Sequence, residues 1–393
     1  MKFTIVIICY IIICLIVLLL WYSHFKHAFP NAMKENKYRL PVILLPVILD
    51  LTPVLGAFLP KGAVARFFEK IGNFWYGYLL IGGMLLIASV IIQRIAFSES
   101  SNYRKRQGAI GFLAAVIVLT IGLSVAGAQN ATNTKVVHYH VNIKDPAATD
   151  IRLAVISDLH IGVNSNIDTY RKMVSLINDY NVDAVLVCGD LLNDSYAGIK
   201  DPEAYEEVLS GMDSTYGTYF VYGNHDVERR LIGGFAMNGQ TNPKRDPKLR
   251  TFIRNCGWTT LNDQVVRIQS GNIQIVGRRD AEYPVGNNGK RLSVKKLMKK
   301  TDSDHATIVM QHEPLELKEL GKEGADLIVG GHTHNGQIFP GGYIAALFND
   351  QVYGLRKKDS ASSIVTSGVG WYGIPLRVGT NSEIAIVSVH FTR

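Results

Sequence analysis

Four long runs of apolar residues occupy the first 130 positions of the chain. They span about residues 3–21, 40–59, 74–92 and 109–128. Each run is close to the ~20 residues that a helix needs to cross the hydrocarbon of a bilayer. The first run is followed by Trp21-Tyr22-Ser23-His24, which offers no small-residue cleavage site. This favours an uncleaved anchor over the alternative, a signal peptide, and predicts an N-terminal all-α transmembrane bundle of about four helices.

The second apolar run is the least regular of the four. It contains three prolines and one acid, Asp50. An acidic side chain at membrane depth is costly and is often functional. Because the prolines free backbone groups, we instead favour a broken or re-entrant helix in which Asp50 caps those groups.

The distribution of charge separates the chain into two parts. Residues 1–150 carry 14 Lys and Arg against 6 Asp and Glu, whereas residues 151–393 carry 27 of each. The basic residues flank apolar runs, which points to membrane lipids as partners and argues against nucleic acid. If loops one and three are cytoplasmic, eight of these basic residues lie inside, and of those near the membrane only Lys2 and the three of loop two lie outside. The positive-inside rule therefore predicts a multi-pass protein of a plasma or inner membrane whose C-terminal part is extracytoplasmic.

From residue 135 the pattern changes to short apolar runs separated by helical and turn signals. Residues 136–141 predict a lead-in strand, and the runs at 151–156, 184–187 and 219–222 alternate with helix signals. This is a βαβ pattern and predicts a largely parallel first sheet. Later runs at 273–276, 306–310, 327–329, 362–366 and 384–389 predict further strands. We expect a transmembrane region at 1–130, a linker with a lead-in strand at 131–150 and an α/β domain at 151–393.

The four cysteines do not suggest a disulfide framework. Cys188 comes at the end of a strand and Cys256 at the end of a helix, and both are interpreted as buried thiols. A bridge between Cys188 and Cys256 is the alternative.

Seven residues in the second part have side chains that commonly bind metal ions. They lie in five short segments and are Asp158, His160, Asp190, Asn224, His312, His332 and His334. The acidic and amide residues follow predicted strands, and the carboxyl ends of parallel strands share one edge of a sheet. Asp158 with His160, and His332 with His334, alternate as extended residues do, so each pair is expected to face one way. Gly189, Gly223 and Gly331 are expected to permit sharp turns.

In this order the segments resemble the calcineurin-like metallophosphoesterase superfamily over about residues 150–393. The resemblance implies two packed mixed β-sheets flanked by helices and a dinuclear metal centre. Carried over by position, Asp158, His160 and His334 correspond to ligands of the first ion. Asn224, His312 and His332 correspond to ligands of the second ion, and Asp190 bridges the two. His225 corresponds to a catalytic histidine that faces the phosphate, and its neighbour Asp226 is expected to orient it.

Motifs near the end of the chain indicate one subgroup of this superfamily. Gly331 to Gln337, Thr366 to Gly370 and Ile374 to Arg377 resemble the membrane-anchored or exported bacterial phosphoesterases. That subgroup usually has glycine where Asn335 stands here, so a side chain is expected close to His334. Arg278 and Arg279 follow a predicted strand and are retained as candidates for contact with a substrate phosphate.

Imidazole, carboxylate and amide ligands without cysteine suit Mn, Fe or Zn as the two divalent ions. Such a pair lowers the pKa of a bridging water, which attacks phosphorus while His225 assists the leaving group. We therefore expect a phosphoester or phosphoanhydride hydrolase at the membrane surface, with a lipid-linked or envelope-precursor substrate as one candidate. The alternatives are a non-catalytic metal- or phosphate-binding sensor or scaffold, and a transporter with an accessory domain.

Overall fold

The described chain divides into two units in the computed structural model of the protein. The structure describes residues 2–60, 62–98, 101–145, 147–228, 231–232, 235–236, 245–268, 271–281, 290–358 and 361–392. One unit contains the described residues up to 128, the short strands β5 (Leu231–Ile232) and β6 (Phe235–Ala236), and residues 373–376. The other unit contains the remaining described residues from 129 onward.

Four long helices account for most of the first unit. They are α1 (Lys2–Ala28), α2 (Asn36–Phe58), α3 (Ala63–Ala96) and α4 (Asn102–Thr132). All four are long and apolar enough to cross a membrane, which confirms the predicted number of apolar helices. Helices α2 and α3 approach closely at glycines, since a Cβ at Gly72 would lie 2.6 Å from the nitrogen of Pro53.

Helix α2 is continuous through its three prolines, so the predicted broken or re-entrant helix is wrong. The carbonyl of Leu49, which Pro53 cannot bond, accepts instead from Thr52 Oγ1 at 2.7 Å. Asp50 bonds a side chain where a freed backbone group was expected: its Oδ1 accepts a hydrogen bond from Trp75 Nε1 on α3 at 2.6 Å. At Pro53 a neighbouring hydroxyl therefore replaces the missing backbone donor.

The second unit is an α/β domain. Its strands are β1 (Lys135–Lys144), β2 (Ile151–Ile156), β3 (Ala184–Cys188), β4 (Thr218–Val221), β7 (Thr259–Thr260), β8 (Gln264–Ile268), β9 (Ile273–Gly277), β10 (Ala306–Met310), β11 (Leu327–Gly330), β12 (Gly354–Lys358), β13 (Ala361–Val365) and β14 (Glu383–Thr392). Its helices are α5 (Ile167–Asn178), α6 (Pro202–Ser210), α7 (Pro247–Asn255), α8 (Val294–Met298), α9 (Leu317–Lys322) and α10 (Gly341–Ala345).

Two six-stranded mixed sheets pack against each other. The first has the order β1-β14-β2-β3-β4-β7 and the second β12-β13-β11-β10-β9-β8. Their facing side chains form one buried cluster that includes Leu153, Leu186, Ile308 and Val329. The outer faces carry separate clusters, one under α5, α6 and α7 and one under α8 and α9. The predicted architecture of two packed sheets flanked by helices is therefore confirmed.

The continuous apolar runs in the sequence arise because the central strands are covered on both faces. All residues of β3 and β10 are buried. The predicted lead-in strand is β1, which pairs in parallel with β14 along its whole length and forms an edge of the first sheet. Cys188 and Cys256 are both free thiols, so the alternative of a bridge between them is wrong.

The strand directions place polar residues at one edge. Strands β2, β3 and β4 are mutually parallel, and each is followed within a few residues by Asp158, Asp190 or Asn224. In the second sheet β10 and β11 are parallel and precede His312 and His332. Both sheets therefore deliver candidate ligands from the carboxyl ends of their strands, as expected for an α/β domain.

Candidate metal centre

Three buried side chains converge on one point. Asp158 Oδ1 lies 3.3 Å from His334 Nε2 and 3.7 Å from His160 Nε2, and the two imidazole nitrogens are 3.0 Å apart. Two ligand atoms held about 2.1 Å from one ion lie about 3.0–3.4 Å from each other. Among the described residues Asp158 Oδ1 is buried without a hydrogen-bond donor. Such a carboxylate oxygen is unfavourable unless a cation is bound beside it.

A second group forms beside the first. His312 Nε2 lies 3.0 Å from Asp190 Oδ2 and 3.3 Å from His332 Nδ1. Asn224 contributes its amide oxygen, which is 3.1 Å from the same His312 nitrogen. These four atoms have the spacing that a second ion requires.

Asp190 lies between the two groups. Its Oδ2 is 3.7 Å from His160 Nε2 in the first group and 3.0 Å from His312 Nε2 in the second. Its other oxygen accepts a hydrogen bond from the backbone amide of His225 at 2.7 Å. One carboxylate therefore faces both groups, in an orientation fixed by the backbone.

Backbone carbonyls orient two of the histidines. His312 Nδ1 lies 2.8 Å from the carbonyl oxygen of Cys188, and His160 Nδ1 lies 3.2 Å from that of Leu192. A carbonyl accepts but does not donate, so each Nδ1 carries a proton and each Nε2 is the nitrogen directed at the centre. This is the tautomer in which an Nε2 binds metal.

The electrostatics favour the metal-binding protonation states of Asp158, Asp190 and His334. At His312 burial lowers the pKa, but Asp190 raises it well above its ordinary value, so an ion that binds His312 must displace a proton from it. Burial opposes ionisation of Asp158 and Asp190, but His334 holds the pKa of the first below its usual range and His312 holds that of the second well below. Burial also drives the pKa of His334 well below its ordinary value. Charged carboxylates and neutral imidazole are the forms that bind divalent ions.

The backbone reaches this geometry through left-handed turns rather than extended segments. Asp158 has φ 55°, His160 φ 46°, His332 φ 74° and His334 φ 50°. Neither pair is extended as expected. Asp158 and His160 nevertheless face one group, as predicted, whereas His332 and His334 point to different groups. Positive φ is unfavourable for non-glycine residues and is concentrated at functional sites, so packing must hold these turns in place.

The glycines near the centre are needed mainly because neighbouring atoms lie where a Cβ would be, and less because of their backbone angles. Only Gly189 of the three has a left-handed φ, of +82°. A Cβ at Gly223 would lie 2.2 Å from Asp190 Oδ1, and one at Gly331 would overlap the side chains of Ser157 and Asp158. These two glycines leave the space that the carboxylates occupy.

His225 lies over the centre, but the prediction that Asp226 orients it is wrong. Asp226 accepts hydrogen bonds from the backbone amides of Asp190, Leu191, Leu192 and Gly223 at 2.8–3.1 Å. His225 Nδ1 instead bonds the carbonyl oxygen of Asn193 at 2.9 Å. Asp226 thus shapes the loop that carries Asp190, while Asn193 sets the tautomer of His225.

Two neighbours of the centre were given no role by the sequence analysis, although Arg377 ends one of the segments that carried the resemblance. The ring of Tyr372 lies 4.5 Å from that of His225 and 5.8 Å from that of His160, measured between centroids. Arg377 is completely buried and donates to the carbonyls of Ser367 at 2.7 Å and Asn381 at 3.0 Å. Its Nη2 also lies 3.2 Å from His334 Nδ1. Only the three-dimensional contacts reveal these roles.

The two arginines retained as substrate candidates both lie beside acidic side chains of the domain. Arg278 pairs with Glu316 at 2.6 Å, and Arg279 lies 3.7 Å from Asp263. Asn335 has φ 51°, which explains why glycine suits that position and why asparagine is tolerated there. Its side-chain oxygen is directed towards Gly342 at the start of α10.

Comparison with known proteins agrees with this geometry. Residues 151–336 match the family described as calcineurin-like phosphoesterase. An uncharacterized metallophosphoesterase of Helicobacter pylori is 30% identical over 61% of this chain, and the match covers 60% of the length of that relative. Proteins of Danio rerio and Bos taurus, each described as a transmembrane protein with metallophosphoesterase domain, are both 27% identical over 78% of this chain and 68% of their own length.

The relatives are bacterial and animal, so the resemblance extends beyond the bacterial proteins expected from the sequence. The similarity to the two vertebrate proteins covers more of this chain than the family match does. Residues 151–336 therefore form a calcineurin-like phosphoesterase domain, and the four apolar helices and the similarity to these transmembrane proteins indicate a membrane protein.

Proposed function

We propose that this protein hydrolyses a phosphoester or phosphoanhydride at a membrane surface with the help of two divalent metal ions. The observation that carries the proposal is the single carboxylate of Asp190, which faces both ligand groups at 3.7 Å and 3.0 Å. A shared carboxylate holds two ions about 3.5–4 Å apart, the spacing of two-metal phosphoesterases.

In this proposal Asp158, His160 and His334 bind one ion. Asn224, His312 and His332 bind the other, and Asp190 bridges them. The donor set of imidazole nitrogen, carboxylate and amide oxygen suits Mn, Fe or Zn better than Ca. When bound, two such ions supply Lewis acidity and a nucleophile at neutral pH.

The remaining residues of the site supply a proton to the leaving group and hold His225 and Asp190 in position. His225 acts as an imidazolium: its Nδ1 proton is bonded to the carbonyl of Asn193 at 2.9 Å, and its Nε2 proton passes to the leaving oxygen, which leaves a neutral imidazole. The ring of Tyr372 packs against His225 and restricts its rotation. Asp226 fixes the loop around Asp190 through four backbone hydrogen bonds.

Removal of metal is expected to abolish hydrolysis. We predict that the full-length protein in detergent loses at least about 10³-fold of its turnover of a 4-nitrophenyl phosphate ester after chelation. Readdition of Mn, Fe or Zn, but not Ca, should restore it. The measurements are metal per chain and initial rate on the same samples.

The same experiment separates the enzyme from a non-catalytic sensor or scaffold. A sensor would take up metal to the same stoichiometry but would hydrolyse none of the monoester, diester and anhydride probes. Hydrolysis that persists in samples free of metal would contradict the proposal.

The orientation in the membrane is a second part of the proposal, and it rests on the loop charges. We predict that a cysteine in place of Glu207, an exposed residue of α6, reacts with a membrane-impermeant maleimide in intact cells. A cysteine in place of Lys34, in the first loop, should react only after lysis. The reverse pattern would place the domain in the cytoplasm and refute the charge argument.

A further inference from the structure

The α/β domain has one concentrated apolar surface. Among the described residues after position 128, all the exposed large hydrophobic side chains fall within a single stretch of 15 positions. They are Phe339 at 61%, Tyr343 at 74%, Ile344 at 59%, Leu347 at 77%, Phe348 at 75% and Tyr353 at 40% exposure. We call these six residues the apolar patch. No charged side chain occurs between His334 and Asp350, so the five patch residues from Phe339 to Phe348 have no interspersed charge of the kind that usually keeps such a surface in water.

The patch lies where the chain leaves its last apolar helix. Asn130, in the final turn of α4, donates to the carbonyl oxygen of Arg377 at 3.3 Å. The backbone amide of Phe339 bonds the next carbonyl along, that of Val378, at 2.8 Å. Consecutive Cα atoms are 3.8 Å apart. The start of the patch and the end of α4 are therefore hydrogen-bonded to neighbouring carbonyls of the same short loop.

The end of α4 is also the end of the predicted fourth membrane span. Asn130 is two residues beyond Ala128, which is about 3 Å along a helix axis. The loop at Arg377 and Val378 is therefore bonded to a residue that directly follows the predicted span in sequence. The chain therefore passes directly from the predicted membrane span into the residue that is bonded to this loop, and the bilayer is an apolar surface that could cover the patch.

The patch is also adjacent to the candidate metal centre. It follows the turn of residues 334–336 directly in sequence. A Cβ at Gly336 would overlap the backbone of Gly342 in α10, so α10 packs against that turn without space between them. His334, a proposed metal ligand, belongs to the same turn.

We propose that the apolar patch inserts into the bilayer interface next to the metal centre. Its aromatic and aliphatic composition is that of an interfacial membrane segment, with tyrosines suited to the headgroup region. The occupant is the lipid surface, because the end of the last membrane span is bonded to the same loop as the start of the patch. This membrane contact does not depend on the proposed hydrolysis.

The contact also indicates a class of substrate, and this step rests on the proposed function. A phosphoester with a long acyl or prenyl tail could keep its tail in the bilayer while its phosphate reaches the metal centre. The hydrolysed bond would be one between phosphorus and oxygen, with water as the second reactant. The expected substrate is therefore an amphiphilic phosphoester rather than a freely soluble one.

The membrane contact can be tested without any activity measurement. A nitroxide on Leu347→Cys, in the full-length protein in lipid nanodiscs, should be more accessible to oxygen than to a nickel chelate. A nitroxide on Glu207→Cys, exposed on α6, is the aqueous control and should show the opposite order. If the label at position 347 is as accessible to nickel as the control, the proposal is overturned.

A second copy of the chain is the competing occupant of the patch. In that case the Leu347→Cys protein would form a disulfide-linked dimer under mild oxidation, and two nitroxides would broaden each other's spectra. The bilayer proposal expects neither result at one chain per nanodisc or at higher loading. Either result would overturn it.

The substrate class is tested with two diesters that share one leaving group. The probes are hexadecyl 4-nitrophenyl phosphate in vesicles and ethyl 4-nitrophenyl phosphate in solution. The double variant Leu347→Asp with Phe348→Asp should lower the rate on the hexadecyl ester by about 10-fold and leave the ethyl ester unchanged. Both side chains are largely exposed, so no buried contact is lost. Lys322→Asp, an exposed residue of α9, changes the net charge equally and is the matched control.

The outcomes separate the two proposals. Equal loss on both esters would refute the assignment of a lipid-linked substrate. Failure of the unsubstituted protein to hydrolyse either ester would count against the proposed function, while the nitroxide result would still decide the membrane contact.

Discussion

Asp190→Asn is expected to reduce hydrolysis by on the order of 10³-fold and to lower the metal content from two ions per chain to fewer than one. The substitution keeps the shape of the side chain and leaves an oxygen to accept the hydrogen bond from the amide of His225. It removes the negative charge that faces both ligand groups at 3.0 Å and 3.7 Å. Because each ion would lose the same carboxylate, both sites should weaken together.

A substitution of a residue that belongs to only one of the two ligand groups makes this prediction specific. His332→Ala removes a nitrogen of the second group alone, so it should leave about one ion per chain. Asp168→Asn is the matched control, since Asp168 is exposed and pairs only at the surface with Arg171. Metal content by elemental analysis and rate should be measured on each purified protein. If Asp190→Asn retained two ions, Asp190 would not be the bridge.

Much of the fold follows from the pattern of apolar residues. Runs of about 20 apolar residues admit few structures other than membrane helices, and the four runs correspond to α1–α4. Strands such as β3 and β10 are covered on both faces, so their sequences are uninterrupted apolar segments that are easily recognised. Edge strand β12, with the sequence Gly-Leu-Arg-Lys-Lys, has no such pattern and was not predicted.

The candidate site was predictable in its chemistry but not in its geometry. Residue types and their order placed seven side chains at strand ends, and the structure brings all seven together. The left-handed turns at Asp158 and His334 could not be read from the sequence, because nothing in an Asp-Leu-His segment indicates positive φ. The true partner of His225 is a backbone carbonyl, and backbone partners leave no trace in side-chain identity. Proximity in sequence made Asp226 the obvious but incorrect choice.

The apolar patch shows a different limit. Its segment at residues 338–348 is apolar, yet it is too short to cross a membrane and its α10 contains only five residues. Hydropathy alone would assign such a segment to the core of the domain. Its exposure became evident only from the structure.

His225→Ala is expected to lower the turnover of an alkyl phosphate ester by about 10²–10⁴-fold while both ions remain bound. The side chain contributes no atom to either ligand group. The backbone amide that holds Asp190 at 2.7 Å is unchanged by the substitution. The rate should fall because an alkoxide is a poor leaving group without a proton.

The dependence on the leaving group distinguishes proton donation from general damage. 4-Nitrophenolate leaves readily without a proton, so the same variant should lose only about 10-fold or less on a 4-nitrophenyl ester. His390→Ala removes an exposed histidine that pairs with Asp150 and should change neither rate. Equal losses on both esters would mean that His225 stabilises charge on the phosphate rather than protonating the leaving oxygen. Loss of metal from His225→Ala would instead make His225 a ligand and would contradict the proposed division between metal binding and proton transfer.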